Sequence, residues 1–167
     1  MIENKKQGFV FGLLMSYVMA IGMEVYNMAI KYGVNLKPGG FTNLTYNVIG
    51  QALIEALYMG LFVEIISSLY GNKCGERFML KHTREIDSPY FKQLMRQAET
   101  VAVMCPSMSL VASILFNIIF AHMPLSSLPV IWLGTLMKNL PMAFFWNMFY
   151  AAPFVHFLFN HIKRFLV

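Results

Sequence analysis

The sequence predicts an all-α membrane protein: four transmembrane helices in two parallel-repeat hairpins, with the N- and C-termini cytoplasmic. Composition is the first reason. Hydrophobic residues make up 57% of the 167 and mean hydropathy is +0.56, more apolar than a soluble domain of this length requires. Segmentation is the second. Four apolar runs, at residues 8–30, 47–70, 99–122 and 130–154, each reach the roughly 20 residues that cross a bilayer core of about 30 Å. Charge placement is the third. Lys5, Lys6, Lys73, Arg77, Lys81, Arg84, Lys92, Arg96, Lys163 and Arg164 fall on one side of the spans, and only Lys31 and Lys37 on the other. Short basic loops stay in the cytoplasm, so the termini and the central loop face inward and the two hairpin tips outward.

The elements follow in order. The first span, residues 8–30, is followed by a tip whose Pro38-Gly39-Gly40 is a turn signal. The second span, 47–70, leads into a basic segment, 76–98. There Ser88-Pro89 reads as an N-cap with proline at the first helical position. Phe91, Leu94, Met95 and Ala98 then recur at helical spacing. That stripe, flanked by Lys92 and Arg96, is read either as a short interfacial helix on the inner leaflet or as a plain extension of the third span. The third span, 99–122, and the fourth, 130–154, are joined by a short tip with proline at both ends. The organisation is thus a first hairpin at 1–75, a cytoplasmic loop at 76–98 and a second hairpin at 99–167.

The two hairpins align loosely on each other. Met15-Ser16-Tyr17 lies over Cys105-Pro106-Ser107, and Asn27 over Asn117, at an offset of 90. The even spans align at an offset of 84, which sets Gly50 on Gly134, Glu55 on Asn139 and Phe62 on Trp146. Both halves start on the same side, so the repeats are parallel and relate by an axis along the membrane normal.

Charged residues inside the spans point to function. A charge at membrane depth costs roughly 2.5–3.5 kcal/mol on insertion scales and usually faces a bundle interior or a wet cavity. At about 1.5 Å of rise per residue, Glu24, Asn27, Glu55, Asn117, Lys138 and Asn139 fall in one layer, in the outer third of the membrane. Tyr17, Glu24, Asn27 and Lys31 share a face of the first span; Gln51, Glu55, Tyr58 and Phe62 share one of the second. Two carboxylates against one lysine form a site able to hold a proton or a cation. Interhelical hydrogen bonding is the competing account of the same layer, and the favoured one for Asn27 and Asn117. Glu64 lies deeper, and with Trp146 it is a secondary candidate. Aromatic residues near the carboxylates offer cation–π contact, although packing and lipid contact account for most of them.

Other chemistry is unsupported. His82, His122, His156 and His161 do not form a metal or haem set, and no phosphate loop, zinc spacing or serine–histidine–acid arrangement is visible. Cys74 and Cys105 read as ordinary small residues. No enzymatic activity, cofactor or metal is expected. The net charge of +5 sits beside membrane spans and indicates topology and lipid headgroups rather than nucleic acid.

Lys5-Lys6-Gln7-Gly8-Phe9, followed by Met15-Ser16, Met19, Gly22-Met23 and Tyr26-Asn27, with Ala152-Pro153 near the end of the fourth span, resembles an uncharacterised family of small bacterial membrane proteins. Its unit is a two-helix hairpin, often in tandem. The resemblance implies the bacterial inner membrane and supplies no activity. In architecture the chain is also similar to small proton-coupled multidrug efflux proteins, which carry a functional glutamate in the first span. Their arginine and histidine before that glutamate are missing here, where Ser16, Tyr17 and residues 19–23 precede Glu24. The expectation is a transport protein that moves an organic or lipophilic cation against protons, with the bilayer as its setting and a homodimer as a compatible assembly. The alternative is an accessory, immunity or receptor-like membrane subunit that binds a protein partner.

Overall fold

The computed structural model describes residues 5–34 and 40–162. Lys37, the Pro38-Gly39 part of the first tip, Lys163 and Arg164 lie outside the described residues. The architecture is all-helical: α1 is Lys5–Ala29, α2 Tyr46–Ile66, α3 Asn72–His82, α4 Pro89–Ala112, α5 Leu128–Trp146 and α6 Ala152–Ile162. Turns of the wide i→i+5 type extend or join them at Ile30–Val34, Ser67–Gly71, Ser113–Phe120 and Asn147–Ala151. The result is four continuous helical stretches, Lys6–Gly33, Tyr46–His82, Pro89–Phe120 and Leu125–Ile162, each long and apolar enough to span a membrane. The protein is a multi-pass membrane protein.

Helix continues well past the apolar runs. The stretch from Tyr46 to His82 has 37 residues, roughly 55 Å of helix against a core of about 30 Å. Apolarity is needed to cross lipid, not to stay helical, and α3 is built of ordinary helix formers. Only residues 83–88 of the expected basic loop are non-helical. Arg84 N–H donates to Asp87 Oδ2 at 2.6 Å and Lys92 Nζ to the Glu85 carbonyl at 3.0 Å, closing that turn. Ser88 caps α4 by accepting the Phe91 N–H at 3.2 Å, with Pro89 at the first position. From there α4 runs unbroken into the third span, so the 89–98 stripe is its extension and not a separate interfacial helix. Phe91, Leu94, Met95 and Ala98 are half-buried, and α3 packs on α4, which gives that apolar side a partner.

The chain divides into two compact units, Met1–Glu64 with Ala151–Val167, and Ile65–Tyr150. The boundaries fall beside the wide turns at Ser67–Gly71 and Asn147–Ala151. In the first unit α1 packs on α6: Phe11 meets His156 at 5.0 Å and Phe159 edge-on at 5.4 Å between ring centroids. In the second unit α4 packs on α3 and α5. A Cβ on Gly75 would stand 2.6 Å from the Arg96 carbonyl, so only glycine permits that approach. Trp132 Nε1 donates to the Pro106 carbonyl at 2.9 Å, and Tyr70 Oη to Ser107 Oγ at 2.5 Å. Ser113 Oγ bonds back to the Ser109 carbonyl at 2.7 Å where one wide turn begins, a hydroxyl competing with the backbone ladder. His122, at φ 51°, ends the third stretch in the left-handed region. The Met123 N–H then closes on the Asn117 carbonyl at 3.0 Å, the pattern of a helix C-terminal cap.

Candidate functional site

The site is built on α1 and α2 of the first unit. A rail of residues four apart on α1, Ser16, Ala20, Glu24 and Met28, is buried. Spacing of four keeps these side chains on one flank of the helix. Glu24 sits in it with 5% of its surface exposed. Burial of that extent at a carboxylate is rare without compensation.

Two groups of α2 join it. Tyr58 stands in the electrostatic field of both Glu55 and Glu24. Glu55 is half-buried; its Oε1 accepts from Gln51 Nε2 at 2.9 Å, and Lys31 acts on it through charge. Lys31 itself lies with Nζ 5.4 Å above the Tyr32 ring. Glu24, Glu55, Tyr58, Gln51 and Lys31 therefore form one polar neighbourhood drawn from two helices, toward the hairpin-tip end of α1 and α2. Asn27 lies less than one turn beyond Glu24; its Oδ1 is buried without a hydrogen-bond partner among the described residues. Two carboxylates, a phenol and an amide acceptor make an electron-rich surface. Its chemistry suits a cation or a proton.

A second acidic position lies farther along the same helix pair. Glu64 Oε2 accepts from Ser16 Oγ at 2.8 Å. Gly12 leaves room beside it: a Cβ there would stand 3.2 and 3.3 Å from the two carboxylate oxygens. One turn away along α2, Tyr17 lies over Gly60, where a Cβ would come within 2.6 Å of the ring. Tyr17 is thus part of the helix contact, two turns from Glu24, and its ring serves packing. Ser16 is about 12 Å along α1 from Glu24, and Glu64 about 13 Å along α2 from Glu55.

The remaining candidates belong to the second unit. Asn139 is buried, and its Oδ1 has no hydrogen-bond partner among the described residues. Lys138 and Asn117 are half-buried. Trp146 stacks on Tyr150 at 5.2 Å and 16°, an aromatic pair within its own helical stretch.

Sequence reasoning overlooked Gly12, Ser16 and Gly60. Their signal was present: Gly12, Ser16 and Ala20 repeat at spacing four, the small-xxx-small pattern by which membrane helices approach closely. It also overlooked Asn147, buried on the second unit, which lies two turns from Asn139 on one flank.

A family model described as a domain of unknown function, DUF2798, matches residues 4–163. No curated protein and no solved structure matches the chain. The chain belongs to the DUF2798 family.

Proposed function

We propose that this DUF2798 protein transports an organic or lipophilic cation across the bacterial inner membrane in exchange for protons. Both termini lie in the cytoplasm, and the two hairpins act as a duplicated unit. The cation occupies the neighbourhood of Glu24, Glu55 and Tyr58. One feature carries the reading: Glu24 of α1 and Glu55 of α2 both lie within electrostatic reach of Tyr58, and Glu24 is almost wholly buried. Interhelical glue needs hydrogen bonds but not this much formal charge, because each charge at membrane depth costs several kcal/mol.

The test is tetraphenylphosphonium binding to the purified protein, and pH-driven uptake into vesicles, for wild type, Glu24→Gln and Glu55→Gln. Loss in both variants supports the reading; unchanged binding and uptake in both would falsify it.

A second reading has its own support. The α3–α4 extension carries Lys73, Arg77, Lys81 and Arg96 exposed, with Lys73, Arg77 and Lys81 on one stripe at spacing four. Such a surface suits an accessory or receptor-like subunit that binds a protein partner. A stoichiometric foreign protein copurifying from gently solubilised membranes, and lost on charge reversal at Arg77, would favour it.

A further inference from the structure

Glu64 differs from the other acidic residues of the spans in its company. Ser16 is a neutral donor, and among the described residues it is the one group that bonds Glu64. No Lys or Arg is paired with it among the described residues. Its second oxygen, Oε1, faces the notch left by Gly12 at 3.2 Å from where a Cβ would be. A carboxylate at this depth without a cationic partner is costly, and it needs a proton or a cation to relieve the charge. The space at Gly12 is of methyl size and the carboxylate lies against it, a setting that suits a proton better than an organic cation. Among the described residues, side-chain contacts bring two titratable groups to this part of the unit, Tyr17 of α1 over Gly60 and His156 of α6 on Phe11. Neither supplies a fixed charge.

We propose that Glu64, held by Ser16 in the notch at Gly12, carries the coupling proton, separately from the carboxylates that bind the cation. The proposal rests on the transport reading and assigns its two ions to two stations on one helix pair. A proton from water adds to a carboxylate oxygen of Glu64 and later returns to water; only that O–H bond forms and breaks. Ser16 holds the carboxylate in one orientation through both states. Simple glue would place the same serine against a glutamine equally well, and this separates the two accounts.

The experiment uses the full chain in liposomes and two readouts. In the first, N,N′-dicyclohexylcarbodiimide, which attacks protonated carboxyl groups in apolar surroundings, is applied between about pH 5 and about pH 9, and the Glu64 peptide is followed by mass spectrometry. Modification of Glu64 should fall as pH rises, and Ser16→Ala should move the midpoint. In the second, Glu64→Gln should keep tetraphenylphosphonium binding within about twofold, under ~0.5 kcal/mol, and lose pH-driven uptake. Glu64 modification that is absent or independent of pH overturns the proposal, as does pH-driven uptake retained in Glu64→Gln. If that variant does not fold, the Ser16→Ala profile decides. Should Glu64 titrate while wild type binds no tetraphenylphosphonium, the cation reading falls and the proton station stands.

Discussion

The two acidic positions of the first helix pair are similar in kind and opposite in surroundings. Glu24 and Glu55 both lie within electrostatic reach of Tyr58, and Glu55 also has the Gln51 amide and the Lys31 charge. Glu64 has one serine and a glycine notch. The first arrangement gathers negative and polarisable groups from two helices, which suits the proposed cation. The second sets a single half-buried carboxylate against one serine and one glycine, which suits the smallest ligand. The difference teaches that depth in the membrane does not assign a role to a charged residue; the number and geometry of its neighbours do.

The largest effect should come from the most buried acid. Glu24→Gln is expected to weaken tetraphenylphosphonium binding by about a hundredfold, ~2.7 kcal/mol, because a desolvated partner for the cation is lost. Equilibrium binding in detergent measures it, and a change below about threefold would move the cation away from Glu24. Gly60→Ala comes next. Its methyl would overlap the Tyr17 ring, and overpacking of this kind costs about 1–3 kcal/mol. Thermal unfolding in detergent should fall accordingly, and Tyr17→Ala in the same background should recover part of the loss.

Glu55→Gln should be milder than Glu24→Gln, about tenfold in binding or ~1.4 kcal/mol, since Glu55 is only half-buried and partly satisfied by Gln51. Equal losses at the two positions would mean that burial is not what ranks them. The smallest expected effect is Gly12→Ala. Its new Cβ meets the far end of the flexible Glu64 side chain, which gives way by a few tenths of an ångström. Stability should change by less than about 1 kcal/mol, while carbodiimide modification of Glu64 slows. A large stability loss there would show a rigid helix crossing at this point and would make the notch a packing device.

Much of this was legible one helix at a time. The four spans follow from hydropathy. Ser88-Pro89 announced the start of α4, and Glu24 and Glu55 were recognisable as charges inside two different spans. The helix of residues 72–82 was hidden because polar residues hide helix from a membrane-length reading. The 89–98 stripe was ambiguous because an amphipathic pattern is the same whether its apolar side meets lipid or α3. Ser16 as the partner of Glu64 was hidden because nothing in either segment specifies which hydroxyl a carboxylate will reach.

Length and apolarity are properties of a single segment in its solvent, and they were readable in the order of residues. Partners are properties of two segments together. That Ser16 meets Glu64, that Tyr58 lies within reach of two carboxylates and that α3 packs on α4 were decided by how the helices pack. Gly75 sets the distance between α3 and α4 by having no Cβ, and Gly12 and Gly60 leave the space that the Glu64 carboxylate and the Tyr17 ring occupy.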